Sequence, residues 1–201
     1  MRLFRPACVR HLAFAEFRSF WTNPSGGLAL LVFLVLAGFL FYNTVADYAA
    51  SSAGSLSRGR FLNADLAVFS GGLANLGLVL LLVSPLTTMK AMAPYSQGGH
   101  LDLLTAWPLK PSEIVLAHFF SAFMILALMT VLSLLPFGII LFMGVGSAAV
   151  LLTSLAGFFL LIAAYTAIGL ALASMTSSPL AAALTALGVL TFRWTLGLAA
   201  P

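Results

Sequence analysis

Apolar residues fall into five long runs separated by short polar breaks: Leu28–Val45, Ala64–Thr88, Glu113–Met143, Ala148–Met175 and Leu180–Leu198. An apolar run of about 18 residues or more matches a hydrocarbon core of ~30 Å, so each run predicts a membrane-crossing helix. The third is too long for one untilted crossing, and Pro136 falls inside it with Gly138 close behind. It predicts a tilted span from Glu113 to about Leu135, then a kinked continuation or short re-entrant piece to Met143. Gly144–Ser147 reads as an external turn and Ser177-Ser178-Pro179 as a tight inner one. The expected fold is all-α, a polytopic helical membrane protein in which residues 1–201 form a single transmembrane domain.

Residues 1–23 have a different pattern. Phe14, Phe17, Phe20 and Trp21 recur at helical spacing, with Arg10, Glu16, Arg18 and Ser19 largely elsewhere around the helix. This predicts an amphipathic helix in the headgroup region, with its arginines towards anionic membrane lipid. A passive elbow that sets the angle of the first span is the simpler role; a regulatory lipid site is the alternative. Asn23-Pro24-Ser25-Gly26-Gly27 breaks this helix. A signal peptide is the rival explanation of the first apolar run, because Ala49-Ala50-Ser51 resembles a cleavage site. The lead-in from Met1 to Gly27 is long for one. Residues 47–63, rich in Ala, Ser and Gly, read as an external loop.

The second run has a small, slightly polar section: Ser70, Gly71, Gly72, Ala74, Asn75 and Gly77. Small residues let helices approach closely, and an asparagine amide can bond across the contact. Asn75 could instead line a substrate path, but nothing charged accompanies it. Pro85 can kink the run and Lys90 can snorkel to the inner surface. Then comes Gly99–His118, GHLDLLTAWPLKPSEIVLAH, the only sizeable polar island between long apolar runs. Leu101, Leu103 and Leu104, with Asp102 among them, form a short amphipathic piece that Pro108 stops. Ser112 is a candidate cap for the next helix, and Glu113 in its first turn meets the positive end of the helix dipole. A short helix across the mouth of a membrane bundle can receive a push from a soluble partner.

Composition narrows the class. The chain is 62% hydrophobic and 7% charged, where a soluble domain has about 25% charged residues. Its net charge of +4 comes with no basic-aromatic stripe, so nucleic acid is excluded as a partner. Arg2, Arg5, Arg10 and Arg18 precede the first span and Lys90 and Lys110 flank the polar island, against Arg58 and Arg60 in the first loop. This balance predicts a cytoplasmic N-terminus. Cys8 is the only cysteine, so no internal disulfide forms, and it reads as an inert thiol. There is no G-x-x-x-x-G-K-[ST] loop to hold ATP and no H-E-x-x-H. His100, Asp102 and His118 are the nearest cluster, but their spacing fits no standard zinc site. They read as solvated surface groups, and no metal or cofactor is expected. Ser25 and Ser70 lie beside glycines, yet a serine nucleophile needs a base within reach, and no histidine is expected inside any span. Met124, Met129 and Met143 read as lipid-facing or core filler, and Trp107 and Trp194 as belt residues at opposite interfaces.

The polar island also resembles a family. Gly99, Leu101, Asp102, Leu103, Leu104 and Pro108, followed by Glu113-Ile114-Val115-Leu116, are similar to the cytoplasmic coupling segment of ABC-2 type transporter permeases, especially the gliding-motility-type branch. Phe17-Arg18-Ser19-Phe20, Asn23-Pro24, Phe39–Tyr42, the Pro85-Leu86…Met89-Lys90 ending and Tyr165–Thr176 fit the same branch in order. The chain departs from it at Pro94-Tyr95-Ser96-Gln97, where members usually carry an acidic-acidic-arginine run, and at His118, where they usually carry lysine. The resemblance implies a multi-pass permease subunit of the bacterial inner membrane, with ATP hydrolysis on a separate ATPase chain and no catalysis of its own. It implies a second permease copy or paralogue and an auxiliary subunit on the periplasmic side. It makes 89–112 the coupling segment, with Gly99, Leu101, Asp102, Leu103, Leu104, Pro108 and Glu113 as ATPase-coupling residues. Members usually have six spans where this chain offers five, the sixth missing by truncation or by nature. A haem-exporter-type ABC permease and a non-transporting scaffold or degenerate permease are the alternatives.

Overall fold

In lipid no water satisfies the backbone, so a crossing segment must close its own hydrogen bonds, and these apolar runs do so as helices. The computed structural model describes residues 6–56, 65–96, 111–142, 148–176 and 178–199. Helix α1 covers Pro6–Thr22 and α2 covers Pro24–Leu56. A π-helical turn, Asp65–Ser70, leads into α3, Gly71–Ser96. Then follow α4 (Pro111–Ser133), α5 (Leu135–Phe142), α6 (Ala148–Met175) and α7 (Pro179–Ala199). Five stretches are long and apolar enough to cross a membrane: Pro24–Ala53, Val68–Met89, Ser112–Phe142, Ala149–Met175 and Pro179–Gly197. The chain is an all-α protein with multi-pass transmembrane character.

Helix α3 is the hub. Over an apolar 18-residue window of its membrane stretch 67% of the residues are buried, against 17–33% in the other four. It packs on α2, α4, α6 and α7, and these neighbours also touch in that order around it. α2 and α7 do not close the ring, and α3 shows one stripe through the gap, at Ala74, Leu78, Leu82 and Leu86. The core runs along α3 through Leu73, Leu76, Val79, Leu80 and Val83, meeting Phe33 of α2, Leu126 and Met129 of α4, Ile162 and Tyr165 of α6 and Leu190 of α7.

Small residues set the closest approaches. A Cβ on Gly169 of α6 would lie 2.5 Å from Thr88 Oγ1 of α3, so glycine is what lets these helices cross there. At the other end, a Cβ on Gly72 would meet the Phe137 ring at 2.7 Å. Phe137 of α5 fills that space and stacks at a tilt on Phe41 of α2, with ring centroids 4.6 Å apart. Asn75 Nδ2 donates to Thr44 Oγ1 at 2.9 Å, so its amide does bond across the α2–α3 contact.

Several boundaries differ from the sequence expectation. α2 continues to Leu56 through the stretch read as loop. Alanines there favour helix, and Ser51 and Ser52 turn their hydroxyls back on the carbonyls of Asp47, Tyr48 and Ala49, which keeps the polar residues compatible with it. α3 runs past Lys90 to Ser96. Its 26 residues reach about 39 Å at ~1.5 Å per residue, longer than a ~30 Å hydrocarbon core. The third run is broken as its proline implies: Leu134 interrupts the helix and α5 carries on from Leu135. α4 begins at Pro111, so Ser112 sits inside its first turn and not at the cap; proline suits that first position because its missing N–H would go unbonded there anyway. Trp194, read from the sequence as a belt residue, is partly buried near the end of its span. It lies against Gly77 within the bundle, 3.6 Å from where a Cβ would stand.

Candidate functional site at the junction of the first helix and the third span

Helix α1 does not lie free on a surface. One of its faces carries Val9, Leu12, Ala13 and Glu16, spaced three and four residues apart. Val9 and Ala13 are buried against Ala117 of α4, with Leu12 and Leu116 at the margin. One turn along α1, Glu16 reaches His118. The imidazole Nδ1 lies 2.7 Å from Oε1 and 2.8 Å from Oε2 of the carboxylate, which accepts the bond. The His118 side chain is 3% exposed and that of Glu16 27%. Apolar contact and a polar bond therefore fix the same two helix faces together.

This corrects the expectation for two residues. Glu16 belongs to the docked face of α1 and not to its polar side. His118 is no solvated surface group: it lies in the third membrane stretch, Ser112–Phe142, in contact with another helix. A buried imidazole needs a polar partner, and Glu16 supplies one from 102 positions away. No sequence spacing could announce a pair so separated. The available signal was an acid surrounded at helical spacing by Val9, Leu12 and Ala13.

The other end of α1 is tied as firmly. Thr22 Oγ1 and Asn23 Nδ2 both donate to the Ser19 carbonyl, at 3.1 and 3.0 Å, and end the helix. A Cβ on Gly26 would collide with the carbonyl of Phe20, so the sharp α1–α2 corner requires glycine there. α1 is thus held between the start of the first span and the start of the third.

Of the expected coupling residues, Gly99, Leu101, Asp102, Leu103, Leu104 and Pro108 lie outside the described residues. Glu113 is described: it is in the first turn of α4 and 2% exposed, on the same helix end that holds His118. Among the described residues, no group of three or more His, Cys, Asp or Glu side chains converges as a metal site would.

Fold and junction together define a helical multi-pass membrane protein whose N-terminal helix is clamped to its third span. Comparison with family models, with curated proteins and with solved structures finds no match to the chain.

Proposed function

We propose that this chain is the transmembrane permease subunit of an ATP-binding cassette transporter, exporting a substrate across the bacterial cytoplasmic membrane under the drive of a separate ATPase chain. The ordered resemblance to ABC-2 type permeases supports this, and one structural observation makes it mechanical: the Glu16–His118 bond beside the Val9–Ala13–Ala117 contact. A push on residues 97–108 from an ATPase enters the membrane at Pro111, where α4 begins. Within two turns of that point α4 is joined to α1, and α1 is joined through the Gly26 corner to α2. Force on one short segment would thus move two spans together. Two permease copies would pair, the N-terminus would face the cytoplasm, and ATP-driven closure of the ATPases would tilt the spans.

The test is co-purification with the ATPase expressed alongside. Asp102→Arg and Leu104→Asp, which reverse the charge and break the apolar face of the segment, should each lower recovery of the ATPase about tenfold or more, the effect of ~1.4 kcal/mol. Undiminished recovery in both variants would overturn the coupling assignment.

A further inference from the structure

Helix α1 gives one face to the bundle, through Val9, Leu12, Ala13 and Glu16 against α4. The opposite face carries Arg10, His11, Phe14 and Arg18, all exposed. Arg10, Phe14 and Arg18 follow at intervals of four and stand on one line of the helix, with His11, Ala15 and Thr22 beside it. Docking uses up the acid of this helix. Glu16 is the only carboxylate between Pro6 and Thr22, and it is bonded to His118 on the docked side. Among the described residues Arg10 and Arg18 enter no ion pair. The outer face therefore carries positive charge that no described residue neutralises.

The place of the helix decides what can neutralise it. α1 leads through the Gly26 corner into the first membrane stretch, which begins at Pro24. Its docked face meets Ala117 and His118 in the second turn of the third stretch, which begins at Ser112. Both attachments are at the ends of membrane stretches, so α1 lies at the edge of the bilayer, where lipid headgroups are. Phe14 is 59% exposed there. Its ring stacks on Phe17, with centroids 6.3 Å apart, and Phe17 packs against the bundle core. An exposed ring between two cations is what an interfacial helix presents to a bilayer, and it would be out of place facing water alone. A groove of ≈ 410 Å³ runs along this face, lined by His11, Phe14, Ala15, Arg18, Ser19 and Thr22.

We propose that the outer face of α1 is a binding surface for anionic phospholipid, with Arg10 and Arg18 on headgroup phosphates and Phe14 against the top of the acyl chains. A guanidinium offers paired N–H donors that match two phosphate oxygens. The negative potential of an anionic leaflet adds to that attraction for every basic residue near its surface. The surface is independent of the transport proposal, since lipid would gather on it whether or not an ATPase engages the chain.

Ala15 lines the groove and can carry the reporter. Ala15→Cys in a Cys8→Ser background is labelled with a dansyl group, and the full chain is placed in phosphatidylcholine discs. Into these goes phosphatidylglycerol or phosphatidylcholine bearing a nitroxide near the top of its acyl chain, which quenches a nearby dansyl. Labelled phosphatidylglycerol should quench at a lower mole fraction than labelled phosphatidylcholine. Removing both cations, as Arg10→Gln with Arg18→Gln, should reduce that preference about fivefold for each arginine, the effect of ~1 kcal/mol. Both side chains are exposed, so the exchange removes no buried contact. Arg10→Lys with Arg18→Lys keeps the charge and should keep most of the preference, and high salt should erase it. Equal quenching by the two lipids overturns the proposal and leaves the face to an acidic soluble protein. A preference unchanged in the double glutamine variant overturns it too, because the lipid would then be held elsewhere.

Discussion

Thr44 and Asn75 show how a single polar residue is settled in a lipid-facing bundle. Thr44 Oγ1 donates to the Leu40 carbonyl of its own helix at 2.9 Å and accepts from Asn75 across the contact. The Thr44 hydroxyl thus bonds both its own helix and the next one, as expected of a residue that holds helices together. A double-mutant cycle with Asn75→Ala and Thr44→Val, measured as unfolding free energy in detergent, should give a coupling of about 0.6 kcal/mol, the usual value for such membrane bonds. A coupling indistinguishable from zero would show that the bond adds nothing. At this scale the sequence was partly legible. Asn75 stood among Gly71, Gly72, Ala74 and Gly77, and small neighbours signal close packing. The contact of Trp194 with Gly77 was not legible, because distance from the end of an apolar run does not tell which way a side chain turns. Glu16 and His118 were unreadable as a pair, since only the packing of α1 on α4 brings them together.

At the scale of elements, long apolar runs made all five spans legible, and Pro136 marked the break between α4 and α5. The end of α2 was not, because an Ala- and Ser-rich stretch suits a loop in water and a helix where serine hydroxyls bond back to the backbone. Nor was the docking of α1: amphipathic spacing says that a helix has an apolar face, not whether lipid or another helix covers it. Docking predicts that cysteines at Val9 and Ala117, in a Cys8→Ser background, cross-link readily under mild oxidation or with a short bifunctional reagent. Adding His118→Ala should lower that yield, because it leaves the partly buried Glu16 carboxylate without its partner, a loss of roughly 1–3 kcal/mol. Unlinked cysteines, or a yield indifferent to His118, would mean that α1 does not rest on α4.

At the scale of the molecule, the arrangement around α3 decides what can move. α3 is the most buried stretch and touches four neighbours, so under the proposed transport cycle it would be the fixed member against which others shift. α1, α2 and α4 are linked at one end by the Gly26 corner and the Glu16–His118 bond. α6 and α7 form a hairpin joined by a short connection at 176–178 on that same end. A push arriving between α3 and α4 would therefore load the first group directly and leave the hairpin to follow. That account depends on which side of the membrane residues 97–108 face. The direct measurement places one cysteine there, Leu103→Cys in a Cys8→Ser background, and treats intact cells with a membrane-impermeant maleimide. The account predicts no labelling until the cells are permeabilised, and strong labelling afterwards; labelling of residue 103 in intact cells would contradict it.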